Sequence, residues 1–234
     1  MSTLLQLRTR VRAYLDEPAP SVNTTPYWPD VEINNWINQA FIYYFIQIAE
    51  SFDGYFTKET SFSIVGGQNL YPVPVDFFKI RLLERQFATY TIPLRLYERM
   101  ESPNITANSS FSNLYTPTYR FEGQNILLEP TPDTSITGAM RLEYLPQPTL
   151  MVLDIDSPDP GFLEMWQEAI VLRAAVSCKQ KEEAVVNTGT DVGTLTTLMQ
   201  NWEQQIKESI QLRSMQRHYT EPFGIDESSF CNYS

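Results

Sequence analysis

Hydrophobic positions recur at two different periods along this chain, and the change of period divides it. Leu4, Leu7, Val11 and Tyr14 fall three or four residues apart, the spacing of one helix face, with Arg8, Arg10 and Arg12 mostly elsewhere. Ser2 or Thr3 supplies an N-cap, and Pro18 and Pro20 stop the helix. After a polar loop, Ser21 to Pro29, Asp30 reads as the cap of a second helix running to about Phe52. Ile33, Trp36, Ile37, Ala40, Phe41, Tyr44, Phe45 and Ile48 trace a wide apolar face, and Ile42, Tyr43 and Ile46 make that helix apolar nearly all round. Such a helix is central to a bundle or packs a second protein.

From residue 55 the pattern changes. Ten of the sixteen prolines lie in 55–158, which excludes a helix bundle there. Tyr55 to Ile64 alternates, and Gly66-Gly67-Gln68-Asn69 reads as a hairpin turn rather than a phosphate cradle, because no helix signal follows. Tyr71 to Phe77 is extended, since each proline pushes its predecessor out of the helical region. Lys79 to Phe87 and Ile92 to Tyr97 are strand candidates, and residues 102–118, rich in Ser, Asn, Thr and Pro, form a long loop. Tyr119 to Glu122, a Gly123-Gln124-Asn125 turn and Ile126 to Glu129 make a hairpin, and Ala139 to Leu145 is a last strand. About six short strands of this kind predict a small sandwich or barrel.

Helical spacing then returns. Asp159-Pro160 reads as a cap with proline in the first turn of a helix to about Val186, whose inner face is Phe162, Met165 or Trp166, Ala169, Ile170, Arg173 and Val176. After a break at 187–193, Leu195, Leu198, Trp202, Ile206, Ile210 and Arg213 mark a final helix to about His218. The last stretch has no periodicity, yet carries Tyr219, Phe223, Phe230 and Tyr233, unusual for a purely solvated tail. The expected fold class is therefore α+β. An α-helical bundle is built from 1–54 and 159–218, a small β-sandwich or barrel-like domain is inserted at 55–158, and an extended docking tail covers 219–234.

Composition narrows the function classes. With 234 residues, 42% hydrophobic and 13% aromatic, the chain can bury a real core in one or two domains. The longest apolar run, Ala40 to Ile46, is far short of a membrane span, and the N-terminus lacks the apolar stretch of a signal peptide, so no membrane association is expected. The net charge of −11 is spread along the chain and leaves no basic footprint for gripping nucleic acid. Two cysteines and one histidine make neither a disulfide framework nor a Cys/His zinc site.

Candidate chemistry changes little. The nucleotide-binding, nucleophile-elbow and zinc-protease motifs are all absent. Cys178 reads as a small buried residue, Cys231 has no basic neighbour to activate it, and His218 sits where a helix C-terminus favours a cation. The pairs Glu182-Glu183 and Asp154 with Asp156 resemble metal or hydrolase carboxylates, but the second more simply joins a strand to a helix. No catalytic residue, metal or cofactor is expected. Arg8, Arg10 and Arg12 are expected to pair with acidic residues of a neighbouring subunit rather than with phosphate, because the whole chain is acidic.

The order of these pieces carries a resemblance. LRTRVRAYL is followed by W-P-D-x-E-I-x-x-W-I-N-x-A from Trp28 to Ala40. Then come Tyr71-Pro72-Val73-Pro74-Val75-Asp76-Phe77, similar to a Y-x-L-P-x-D-F strand start, and G-Q-N-I-L-L-E-P within Tyr119 to Pro130. Last are Pro160 to Arg173 and a closing helix. Over about residues 4–215 the chain resembles the head-to-tail connector adaptors of tailed bacteriophages, the gatekeeper or tail-tube-adaptor type. Val73 replaces the usual leucine, and the long aromatic tail is a departure.

The resemblance implies a non-enzymatic virion protein, made in the host cytoplasm and placed in the phage neck. About a dozen copies would form a homo-oligomeric ring under the portal protein ring and above a tail nozzle or tail-tube protein. Duplex DNA would pass through without specific binding, an acidic lumen letting phosphate slide. Lateral faces of such a ring account for aromatic-rich helices, so Trp36, Phe41, Tyr43, Tyr44, Phe45, Trp166 and Trp202 are expected in inter-subunit or bundle packing. Tyr219, Phe223, Phe230 and Tyr233 would dock on the portal or a neighbouring subunit. The alternatives are another virion ring, such as a tail terminator or baseplate component, and a soluble carboxylate-dependent hydrolase.

Overall fold

The computed structural model places residues 2–17, 27–52, 54–87, 89–96, 118–159, 161–186 and 192–220, and all of their side chains except those of 183–186 and 212–220. Among these residues the chain is α+β, with four helices and two four-stranded sheets that close no barrel. It divides into a helical unit, Met1–Tyr55 with Pro148–Ser234, and a β unit, Phe56–Gln147. Residues 148–158, assigned from sequence to the β insertion, hydrogen-bond instead to the helices, through Leu4 N–H to the Asp156 carbonyl at 2.7 Å and Asn38 to Met151 at 2.9 Å.

In the helical unit, α1 (Leu4–Tyr14) opens on a capping box, Thr3 accepting from the Gln6 N–H while the Gln6 side chain accepts from the Thr3 N–H. Helix α2 (Asp30–Ser51) starts one residue earlier than expected, so Asp30 lies inside the first turn and Pro29 is the cap. The Asp30 carboxylate is thereby free of capping and accepts from the Arg12 guanidinium at 2.6 Å.

Helix α3 (Gln167–Val186) begins later than the Asp159-Pro160 signal predicts. Asp159 instead closes a local turn, its side chain accepting from the Gly161 N–H at 3.1 Å and its carbonyl from the Phe162 N–H at 2.7 Å. A single 3-10 turn, Glu164–Trp166, leads into the helix. This irregular approach turns Phe162 and Trp166 inward and leaves Met165 half exposed. Phe41, Phe162 and Trp166 then stack edge to face in series, with ring centroids 5.6 Å apart at each step.

The central helix is α3, not the nearly all-apolar α2. Ala169 to Leu172, Ala174 to Val176 and Cys178 are all buried, because the other three helices pack around it, and its alanines let them approach closely. Helix α4 (Val192–Thr220) buries Leu195, Ile206 and Ile210. Met199, rather than the expected Leu198, joins Trp202 against Leu172, Val176 and Leu195. Burial raises the Cys178 thiol pKa to about 12, so it is an inert core residue.

In the β unit the strands are β1 (Lys58–Ile64), β2 (Leu70–Pro72), β3 (Phe77–Gln86), β4 (Thr91–Pro93), β5 (Arg95–Leu96), β6 (Thr118–Glu122), β7 (Asn125–Glu129) and β8 (Ile136–Pro146). One sheet runs β1-β8-β3-β4 and the other β2-β7-β6-β5. The β6–β7 hairpin forms as expected, with Gly123 at φ 61° in its two-residue turn. Gly66-Gly67 is a turn but not a hairpin, since β1 pairs with β8 and β2 with β7, so it carries the chain from one sheet to the other. A Cβ on Gly66 would meet the Asp133 carbonyl oxygen at 2.8 Å, which is why glycine stands there. Ile64, Leu83, Met140, Leu142, Tyr71, Tyr119, Ile126 and Leu128, drawn from both sheets, form one core.

Lys58 donates to the Asp76 carboxylate at 2.7 Å and the Tyr144 hydroxyl donates to it at 2.8 Å. The lysine bond is the larger cause that holds the Asp76 carboxyl below its ordinary pKa. Burial, then the bond to Asp76, raises the Tyr144 phenol to about 12. A carboxyl depressed on folding contributes stability above its unfolded pKa, and that contribution is lost as pH falls through the folded value. Asp76→Asn therefore flattens the acid limb of stability: between about pH 5 and pH 2 the melting temperature falls less in the variant than in the wild type.

Candidate assembly interface

The aromatic residues nominated from the sequence divide between core and surface. Phe41, Tyr44, Phe45 and Trp166 are at most 2% exposed and are spent within their own bundle. Trp36 is half-buried, with its indole N–H lacking a partner. Trp202 packs on the α3–α4 cluster. Tyr43 reaches the surface, and the Arg173 guanidinium lies 3.5 Å from its ring centroid.

Arg173 also donates to Glu203 at 3.2 Å, and the Tyr44 hydroxyl donates to the same carboxylate at 3.1 Å. Burial first, and then the Glu203 charge, push the Tyr44 phenol far above its ordinary value, so it stays a donor. This cluster ties α2 and α3 to α4. A cleft beside it, lined by Gln47, Ser51, Ile206, Lys207 and Ile210, has a volume of only ≈ 30 Å³. That is about a tenth of the smallest small-molecule pockets, which start near roughly 300 Å³.

The arginines of α1 do not await a neighbouring subunit. Arg8 reaches Asp30 at 3.5 Å and Asp154 at 3.0 Å, and Arg10 pairs with Glu168. Arg12, only 3% exposed, donates to Glu17, to Asp30 and to the Trp28 carbonyl. The expectation of intermolecular partners fails because a guanidinium buried at a helix crossing must be satisfied where it lies, and 17, 30, 154 and 168 supply four carboxylates there. Among the described residues no group of three or more His, Cys, Asp or Glu is placed to hold a metal ion. No helix among them is long and apolar enough to cross a membrane.

Sequence reasoning missed the most exposed apolar segment of the helical unit. Leu150, Val152, Leu153 and Ile155 are all at least half exposed, while Met151 between them is buried. The Asn38 amide both donates to the Met151 carbonyl and accepts from its N–H, at 2.9 Å each. The Asp156 carboxylate accepts from the N–H groups of Val152 and Leu153 at 2.7 Å, and these bonds hold its pKa below the ordinary value. The available signal was five large apolar residues in the six positions 150–155 with no helical or strand period. Of the docking residues expected in the tail, Tyr219 falls on the backbone of α4, while Phe223, Phe230 and Tyr233 lie outside the described residues.

The described residues thus form two compact units, a helical core braced by buried ion pairs, and an exposed apolar loop whose backbone is held by hydrogen bonds. The sequence model of the family described as SU10 adaptor protein matches residues 2–225, and the chain belongs to that family. It is a phage adaptor, as the resemblance to head-to-tail connector adaptors implied, and membership of that family implies a virion component with portal and tail proteins as partners. No curated protein matches the chain.

Proposed function

We propose that this adaptor is a non-catalytic ring component of the phage neck. About a dozen copies assemble beneath the portal ring, join the capsid to a tail nozzle or tail-tube protein, and form part of the channel that retains and then releases DNA. The observation that carries the reading is the family match over residues 2–225. The net charge of −11 agrees with it, because an acidic conduit repels phosphate and lets a duplex slide. The fold serves it as a helical bundle with an inserted β-sandwich and an extended tail. Tyr219, Phe223, Phe230 and Tyr233 anchor to the portal or to an adjacent copy, and Trp36 and Tyr43 serve lateral packing.

Removal of residues 219–234 tests the docking role. Four aromatics stand in 219–234 beside three acids and no Lys or Arg, and buried aromatic anchors typically cost about 2 kcal/mol or more each when truncated. The truncated protein is expected to melt as the full chain does, yet to leave DNA-filled heads without tails when particles are counted by electron microscopy. Wild-type numbers of tailed particles would rule out docking through the tail; a chain that no longer folds would show that the tail packs on its own bundle.

A further inference from the structure

Four strands stand at the edges of the two sheets in the β unit, and they are not alike. β2, of three residues, ends in Pro72; β4, also of three, ends in Pro93; and β5 has two residues. Short strands and prolines blunt an edge, since neither offers a neighbour a row of N–H groups. β1 has seven residues, Lys58–Ile64, and no proline. At 3.3 Å per residue it runs about 23 Å. It pairs with β8 on one side and, among the described residues, with no strand on the other. Between the Phe62–Met140 and Ile64–Ile136 pairs β1 advances two residues and β8 four, so the bulge lies in β8, where Gly138 has φ 62°. The outer edge of β1 therefore stays regular, with the N–H and C=O groups of alternate residues turned outward.

The side chains along this edge are already settled within their own copy. Lys58 donates to Asp76 at 2.7 Å and Arg141 donates to Glu59 at 2.9 Å, so covering the edge leaves no charge unpaired. Ser61 and Ser63 are exposed on one face, while Thr60 and Phe62 are half-buried on the other. The Phe62 ring lies 5.2 Å from that of Tyr71, which is 4% exposed, so Phe62 is where the sandwich core reaches this edge. What the edge lacks is a strand, with main-chain partners for its outward groups and an apolar neighbour for Phe62.

β1 is itself such a strand. We infer that β1 of one copy pairs antiparallel with β1 of a second copy about a two-fold axis through Ser61, joining two four-stranded sheets into one of eight strands. Full overlap pairs all seven residues: Lys58 faces Ile64, Glu59 faces Ser63, Thr60 faces Phe62, and Ser61 faces its own counterpart. No like charges meet, and about six to eight main-chain hydrogen bonds form. The two Phe62 rings sit diagonally on one face, about 7–8 Å apart. Every displaced register shortens the pairing, and the one with Glu59 on the axis opposes two carboxylates. The contact uses the same surface of both copies and closes after one step, so it does not propagate round a ring. It belongs to the free chain, where it covers an edge that otherwise templates aggregation. It goes beyond the adaptor reading and does not depend on it.

Directed disulfide formation tests this in the full chain carrying Cys231→Ser; Cys178 is buried and silent. Residues facing each other across an antiparallel pair have Cα atoms about 4.5–5.5 Å apart, within disulfide reach. Ser61→Cys chains at about 100 μM, where contacts of micromolar Kd are populated, are oxidised with copper phenanthroline. A disulfide homodimer is expected in about tenfold excess over that of Ser63→Cys, whose thiol lies on the same edge but faces residue 59. Sedimentation supplies the second measurement. Successive N–H groups of β1 alternate between β8 and the open edge, so one of Thr60→Pro and Ser61→Pro removes only an outward donor. The variant whose melting curve matches wild type should lose the dimer at about 100 μM. Ser61→Lys, which sets two ammonium groups face to face, should weaken it about tenfold, with the fold kept because Ser61 is exposed. Equal disulfide yields from positions 61 and 63 overturn the inference, since the edge then meets a second copy in no fixed register. So does a chain that sediments as a monomer at this concentration, or a dimer that survives Ser61→Lys and both prolines. So does protection of the thiol introduced at position 61 only by added portal protein, which would assign the edge to that partner. None of these outcomes touches the adaptor reading, because attachment of tails to heads is read separately.

Discussion

Replacing Arg12 with alanine is expected to destabilise the helical unit by about 3–5 kcal/mol, the cost of leaving buried charges without their partner. Arg12 is almost fully buried and joins Glu17, Asp30 and the Trp28 carbonyl. The Glu17 side chain is itself 9% exposed, so removal of the guanidinium strands one carboxylate in a dry site and leaves Asp30 with Arg8 alone. At roughly 2–4 °C per kcal/mol for a chain of this size, the melting temperature falls by about 6–20 °C. Arg10→Ala is the internal control. That side chain is 40% exposed, and its pair with Glu168 is worth under about 1 kcal/mol. Calorimetry of the two variants should separate them clearly; equal small losses would show that Arg12 is hydrated and its network dispensable.

Trp166→Ala is expected to cost about as much, 3–5 kcal/mol, by a different route. Its ring is 1% exposed, meets Phe162 and Tyr55 at 5.6 Å each, and donates through its indole N–H to the Ser209 hydroxyl at 3.2 Å. Alanine leaves a cavity at the start of α3 and removes one of the bonds that hold α4, the one to Ser209. Trp166→Phe retains most of the packing and loses the hydrogen bond, so it should cost about 1 kcal/mol. Urea titration of both variants checks the order. If alanine and phenylalanine cost the same, the site collapses freely and the aromatic series does not hold the bundle.

What can be read in advance depends on how local each signal is. Helix α1 is legible because its apolar spacing and its Thr3 cap sit within the helix itself. The β6–β7 hairpin is legible because a glycine turn lies between its own partners. The pairing of β1 with β8 joins Lys58 to Tyr144, and nothing near either strand encodes the other, so the Gly66-Gly67 turn imitates a hairpin turn. The partners of Arg8, Arg10 and Arg12 are hidden for the same reason: two of the four carboxylates, Asp154 and Glu168, stand more than 140 residues away. Trp166 and Phe41 stand out as packing residues, but hydrophobicity alone does not say whether the surface they fill belongs to the same chain. The loop at 150–155 escapes notice because it obeys no period, and exposed apolar residues outside helices and strands give periodicity nothing to detect.

The helical unit is assembled from two stretches of chain separated by the whole β unit, and this has a consequence for biosynthesis. Helices α1 and α2 leave the ribosome first, but the helix that covers Phe41, Phe45 and Ile48 is completed only at Val186. At roughly 5–20 residues per second the newly made α2 waits on the order of ten seconds with its apolar face unburied. The β unit can close in that interval, because its last strand ends at Pro146, before α3 is begun. The nascent chain therefore passes through a stage in which a folded β unit is tethered to a sticky, unpartnered helix pair. That stage, rather than the finished protein, is the one most exposed to aggregation.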